Sequence, residues 1–276
     1  MSQAAAAPST LPVTAELLER LQYFRLDPRV IVDVGCGTGA GAAALRRRFP
    51  RARIIGIDRS YAMTRQARRA QRFWRRYACL CADARALPLA PGSVDLVFSS
   101  LMLQHCDDPA IPFAEMQRVL RPGGLVLFCT LGPGTLQELR DAWADADGRA
   151  HLRDFADMPR LASAATHAGL AEPVMDRDLR VTHYAQVADL LHDLHIRGAT
   201  PGPAARRRSL TGRQRWRAMI ERYESRRTSA GIPASWELIY GAAFAGAMRA
   251  PALGERGRGE AVVSIDALRT RQGSSP

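Results

Sequence analysis

The chain has 276 residues, 47% hydrophobic and 24% charged, with a net charge of +12. That length holds one large α/β domain plus an appendage, and no apolar run approaches the roughly 18 residues of a membrane span. All 39 basic residues are Arg, and both Lys and Asn are missing; this points to GC-biased codon usage, which weakens any reading of the Arg count but leaves its attraction for acidic partners.

Residues 1–13 are Ala-, Ser- and Pro-rich without the pattern of a signal peptide, and read as disordered in a cytoplasmic protein. Thr14, as N-cap, opens a helix over 14–24. A buried strand, Val30–Val34, runs into the glycine turn Asp33-Val34-Gly35-Cys36-Gly37-Thr38-Gly39. A helix over 40–48, a strand over 53–58, an Arg-rich helix over 60–76 and a strand near 78–82 follow. A strand over 94–99 and a helix over 109–120 come next; the helix stops at Arg121-Pro122-Gly123-Gly124, and a fifth strand covers 125–129. Apolar strands alternating with helices specify a doubly wound, mostly parallel α/β sheet.

After residue 134 the pattern shifts to helices near 135–144 and 157–168 and a strand near 174–184. Helices near 187–194 and 212–227 flank a Pro- and Arg-rich loop over 199–209. A final strand lies at 236–240, and residues 249–276 read as a flexible tail in which only 261–265 could add an edge strand. The helical insertion at about 185–232, before the last of seven strands, has the place of a lid.

Glycines in the turn permit a tight bend and close approach of backbone N–H groups to a ligand. Read as Gly37-x-Gly39-x-x-Ala42, the turn also fits a dinucleotide fingerprint. Asp33 argues against a pyrophosphate, which it would repel, and for a cationic cofactor. Asp58, at the end of the second strand, can accept ribose hydroxyls from either cofactor. Asp83, at the end of the third, can accept from an adenine amino group. Together they favour S-adenosyl-L-methionine.

The cysteines Cys36, Cys79, Cys81, Cys106 and Cys129 lack zinc or disulfide spacing and read as buried reduced thiols. His192 and His195 share a helical face without a third ligand, so no metal is expected. Trp236 and Tyr240 read as core.

Val32–Gly39, Asp58, Asp83-Ala84-Arg85-Ala86-Leu87-Pro88 and Arg118–Gly124 together resemble the class I, Rossmann-like methyltransferases over residues 30–130. The resemblance implies cofactor contacts from Gly35, Gly37, Asp58, Asp83, Ala84 and Ser99, beside Asp33 and Gly39 of the turn. A narrower resemblance, over 14–245, is to the malonyl-[acyl-carrier protein] O-methyltransferases of early biotin synthesis. It rests on Leu103–Asp108, Thr130–Arg140, Ile196–Thr200, Arg206–Arg213 and Pro233–Gly241, and makes 14–248 a methyltransferase domain. The chain departs from that family in its Ala-rich start, where an F-x-R-A-A-x-x-Y-like segment is usual, and at His105, where Trp is usual.

The narrower resemblance implies methylation of the free carboxylate of malonyl-acyl-carrier protein or malonyl-CoA by alignment and removal of water, with no general base, because the acceptor is already ionised at pH 7. Gln104 is placed either to line the substrate pocket or to cap the following turn. Arg140 first, and Arg207 second, are the candidates for holding the malonyl group. A monomer without membrane contact is expected. Nine Arg between Arg206 and Arg227, against Glu221 and Glu224, suit an acidic carrier protein. Nucleic acid would also be drawn to them, which keeps an RNA or protein methyltransferase as an alternative beside an assembly-factor-like relative with altered catalysis. Phe98-Ser99-Ser100-Leu101 lacks the Asp/Asn-Pro-Pro-aromatic motif of many base-methylating enzymes.

Overall fold

A computed structural model describes residues 12–71, 76–147, 151–196 and 212–246. In chain order, α1 (Val13–Glu19) and a 3-10 turn (Arg20–Tyr23) precede β1 (Val30–Val34), α2 (Ala40–Arg48), β2 (Arg53–Asp58), α3 (Tyr61–Ala70) and β3 (Ala78–Cys81). Then come β4 (Val94–Ser100), α4 (Ala110–Val119), β5 (Leu120–Leu131), α5 (Gln137–Asp147) and α6 (Met158–His167). The chain continues through β6 (Leu170–Tyr184), α7 (Val187–Ile196), α8 (Arg213–Glu224) and β7 (Ile232–Ala245).

The strands form one sheet in the order β3-β2-β1-β4-β5-β7-β6. Among the described residues the β5–β7 and β7–β6 pairings are antiparallel and the other four are parallel. β1 and β4 are buried along nearly their whole length, as strands covered on both faces must be. Leu17, Leu45, Phe98, Trp143 and Tyr223 belong to the apolar layer beneath α1, α2, α5 and α8. Phe113, Met116, Phe128 and Leu161 belong to the opposite layer, beneath α4 and α6. Strand order reverses between β1 and β4, where doubly wound sheets bind ligands beyond the strands' carboxyl ends.

Local chemistry explains most element boundaries. In α6, Asp157 accepts a hydrogen bond from the Arg160 amide and a proline occupies the first turn, while Leu161, Ala164 and Ala165 form the buried stripe. Ser60 caps α3 in the same way. That helix ends at Ala70, short of the expected 76, since Gln71 is already extended; residues 72–75 lie outside the described residues.

Thr14 does not cap α1. Pro12 holds the N-cap position, and the Thr14 hydroxyl lies 3.0 Å from that of Ser100, joining α1 to the end of β4. The Pro-Gly-Gly segment after α4 belongs to β5: Leu120 pairs with Val94 before the register shifts to Leu96 opposite Leu125. The stop signal thus also marks an irregular strand entry. β7 is longer than its apolar centre suggests because it is hydrogen-bonded on both edges, to β5 and β6. Cys36, Cys79 and Cys129 are buried, but Cys81 is exposed and Cys106 half-buried, so two thiols depart from expectation. The 199–209 loop, the tail and residues 261–265 lie outside the described residues.

Candidate active site

The glycine turn leaves β1 at the reversal point. Gly35, Gly37 and Gly39 have φ of +79°, +52° and +90°, a region that side chains with a Cβ rarely adopt. A Cβ on Gly35 would lie 2.4 Å from Cβ of Met102, whereas Gly37 faces open space. The Gly35 and Cys36 amides both donate to the Ile57 carbonyl, at 2.8 and 3.0 Å, and the Gly37 amide donates to Oδ2 of Asp58 at 2.9 Å. The other Asp58 oxygen accepts from the Ser60 amide at 2.8 Å. One carboxylate therefore ties the turn to the start of α3.

Asp33 sits at the end of β1, 2% exposed. It accepts a backbone hydrogen bond from Ala42 in α2, and its Oδ2 has no partner among the described residues. Burial pushes its carboxyl up to about 7, and the Asp58 charge adds to the rise. A dry, half-satisfied carboxylate beside a glycine turn suits a ligand that brings positive charge. Asp83, beyond β3, is held by Arg85: Nε reaches Oδ1 at 3.0 Å and Nη2 reaches Oδ2 at 2.7 Å. These hydrogen bonds keep its carboxyl below the ordinary range. Three strand-end carboxylates and a turn with exposed backbone form a donor and acceptor set that fits an S-adenosylmethionine cation with a ribose diol and an adenine amine.

Ser99 is fully buried, its hydroxyl donating to the Val34 carbonyl at 3.0 Å, so it braces β4 against β1 and only its backbone is available at the strand end. Ala84 is partly buried against the layer under α4 and α6. Leu101, just beyond β4, has φ of +56°, with its amide held by the Cys129 carbonyl at 2.8 Å. Strain of this kind is found where a fold fixes functional groups, and nothing in the sequence marks it.

A cleft beyond β4 and β5 is lined by Gln104, Thr130, Asp154, Phe155, Ala156 and Arg160, among others. Gln104 does not cap the following turn; it holds the preceding one and reaches across to β5. Its Nε2 donates to the Leu101 carbonyl at 2.7 Å, its Oε1 accepts from the Thr130 hydroxyl at 3.3 Å, and it lines the cleft. His105, between Gln104 and Cys106 in the chain, is half-buried; burial, then the charges of Arg153 and Arg59, lower its pKa and favour the neutral ring. Arg153 donates to the His105 carbonyl at 3.2 Å and pairs with Asp107 at 2.9 Å.

Arg140 is occupied elsewhere. It donates to the carbonyls of Thr135 and Arg153, pairs with Asp154 at 3.2 Å, and lies 5.6 Å from the Phe155 ring centre. It therefore fastens the loop that carries three cleft residues. Arg207 lies outside the described residues. Trp236 and Tyr240 are core, 4% and 2% exposed; the Tyr240 hydroxyl donates to Glu16 at 2.7 Å. Glu16 also receives both Arg180 guanidinium nitrogens, joining α1, β6 and β7. Glu237 accepts from the Gly134 amide and shapes the turn after β5. Sequence offered no sign of either contact, since the partners stand more than a hundred residues apart. Among the described residues no cluster of His, Cys, Asp or Glu could hold a metal ion.

A glycine turn at the reversal point, flanked by strand-end carboxylates on this sheet, defines an S-adenosylmethionine-dependent methyltransferase, and residues 32–128 match the family model described as a methyltransferase domain. Among solved structures, the YcgJ protein of Bacillus subtilis aligns with a TM-score of 0.59 at 18% identity, over 84% of this chain and 98% of its own; that likeness concerns the fold. The chain is 40% identical to the malonyl-[acyl-carrier protein] O-methyltransferase of Gallionella capsiferriformans, over 86% of this chain and 84% of that protein. It is 42% identical to the Xylella fastidiosa protein of the same name, over 84% and 80%. The chain belongs to the malonyl-[acyl-carrier protein] O-methyltransferase family.

Proposed function

We propose that this chain methylates the free carboxylate of a malonyl thioester, borne by acyl-carrier protein or coenzyme A, giving the methyl ester that primes biotin synthesis. The observation that carries the reading is a polar cleft lined by Thr130, Arg160 and Gln104, the last two residues along the chain from Met102, which packs against Gly35 of the carboxylate-flanked turn. Family membership favours it over the RNA-, protein- and assembly-factor readings.

S-adenosylmethionine, when bound, supplies an electrophilic methyl group on a sulfonium. Asp33, Gly35, Gly37, Gly39, Asp58, Asp83, Ala84 and Ser99 are the residues proposed to hold it, Ser99 through its backbone. The acceptor carboxylate is ionised at neutral pH and needs no base, so the protein's work is alignment and removal of water. Arg160 and Gln104 line the cleft and are proposed to hold the oxygen that does not attack; a bidentate clamp on the attacking oxygen would quench it. Arg140 acts one step back, through the 153–155 loop. The α7–α8 insertion, at about 185–232, is proposed as the lid of a cytoplasmic, monomeric enzyme.

The test is an assay with malonyl-carrier protein, malonyl-CoA and cofactor. Formation of the methyl ester, with rescue of a biotin auxotroph that lacks its own enzyme, is the expected result. Bound cofactor without ester from either thioester would overturn the reading.

A further inference from the structure

Most described arginines near the cleft are engaged. Arg140 and Arg153 hold the 151–157 loop, Arg226 pairs with Asp141 at 2.9 Å, and Arg227 pairs with Glu224. On α8 the situation differs. Arg213, Arg215, Arg217 and Arg222 are all exposed, and among the described residues none makes an ion pair. Residues spaced i, i+3 and i+4 share one side of a helix, so Arg213, Trp216 and Arg217 form a single stripe. Trp216 is 42% exposed, so an apolar ring with a polar N–H edge lies between two guanidinium groups of the stripe.

That stripe is joined to the cleft. The Trp216 ring lies 5.9 Å from the Trp143 ring on α5, and Trp143 is stacked on His151 at 3.7 Å. His151 opens the loop whose Asp154, Phe155 and Ala156 line the cleft. A partner seated on α8 would thus stand two ring contacts from the substrate opening.

We propose that Arg213, Trp216 and Arg217 form the docking stripe for an acidic carrier protein that delivers the malonyl thioester to the cleft. This rests on the function proposed above and adds where the carrier sits. Charge complementarity selects the occupant: guanidinium groups match the carboxylates of an acidic helix and the phosphate of a pantetheine arm. An aromatic anchor ringed by Arg is also the composition of interface hot spots.

The test compares the full chain with a triple variant, Arg213→Ser, Trp216→Ser and Arg217→Ser, and with a charge-matched control, Arg215→Ser and Arg222→Ser, on the opposite flank. With malonyl-carrier protein, kcat/KM of the triple variant should fall by about tenfold or more, while kcat/KM with malonyl-CoA stays near native. The control should lose less than the triple variant. Binding of unacylated carrier protein, titrated at two salt concentrations, should weaken in parallel. Equal losses on both thioesters, no loss on the carrier-borne one, or a stripe that retains RNA in high salt in place of carrier protein would each overturn the inference. If the native chain makes no ester from either thioester, the proposed function falls, and the carrier titration alone decides the docking stripe.

Discussion

The two ends of the candidate site are built from different materials. Around β1 to β4 the groups proposed to hold the cofactor are backbone amides and three short carboxylates at strand ends, held by bonds to near neighbours such as Gly37 to Asp58. At the cleft the groups are longer side chains, held by partners farther away in sequence, such as Gln104 with Thr130 and Asp107 with Arg153. The first end is rigid because its geometry is that of the sheet itself. The second is adjustable, since replacing one side chain changes a contact without changing a strand. A fixed cofactor end and a variable acceptor end suit a fold that hosts many acceptors.

The sharpest way to break this contrast is at Asp58, where a single carboxylate serves both the turn and the proposed ligand. Asp58→Ala removes acceptors for the Gly37 and Ser60 amides, so cofactor affinity measured by calorimetry should drop by about a hundredfold. An affinity within a fewfold of native would show that the turn holds its shape without that carboxylate.

Next comes Asp33. Its carboxyl is pushed up to about 7 in the folded chain, so it is neutral below that pH and charged above. A cation beside it binds the charged form. Cofactor affinity should therefore be full above pH 7 and fall by up to about tenfold for each unit below it, and Asp33→Asn should flatten the profile. With no ligand the sign reverses for stability. Ionising a dry carboxyl costs the folded state alone, so the free protein should lose stability as pH rises from about 4 toward 7.

Arg140 tests the acceptor end. Arg140→Met strips the hydrogen bonds that fasten the 153–155 loop, at a cost of about 2 kcal/mol, or a Tm lower by roughly 4–8 °C for a chain of this size. Methyl transfer should fall through a higher KM, with cofactor affinity unchanged. A thermal melt and cofactor titration of the same sample separate this from a direct substrate contact, which would leave Tm alone.

The smallest effect is at Arg85, which holds Asp83. Freed by Arg85→Ala, Asp83 should bind an adenine amine a fewfold better. Weaker binding would mean that the pair positions Asp83 for its ligand.

The shape of the proposed cofactor end was legible because its signals are local. Val30–Val34, the three glycines and Asp58 lie within thirty residues of one another, and each glycine has the positive φ that its place in the turn requires. The acceptor end was legible only through resemblance. Arg140 looked like a substrate ligand because sequence cannot show that the Thr135 and Arg153 carbonyls already occupy it. Arg160 went unnoticed because its position at the cleft depends on how α6 returns beneath α4. Thr14 looked like a cap, yet its hydroxyl meets Ser100, a partner eighty-six positions away. Gln104 looked able to cap the turn after it, yet it bonds back to Leu101 and across to Thr130.

The place of β7 has a consequence for how the chain is made. Among the described residues β6 has no neighbour in the sheet except β7, and β7 also covers the outer edge of β5. Until residues 232–245 emerge during synthesis, β5 offers an unpaired edge and β6 has nothing to join. β1 to β4, by contrast, pair among themselves early. The part proposed to bind the cofactor can take shape while the part that receives the acceptor is still being translated, and a nascent chain halted before β7 would carry two sticky strands for chaperones to shield.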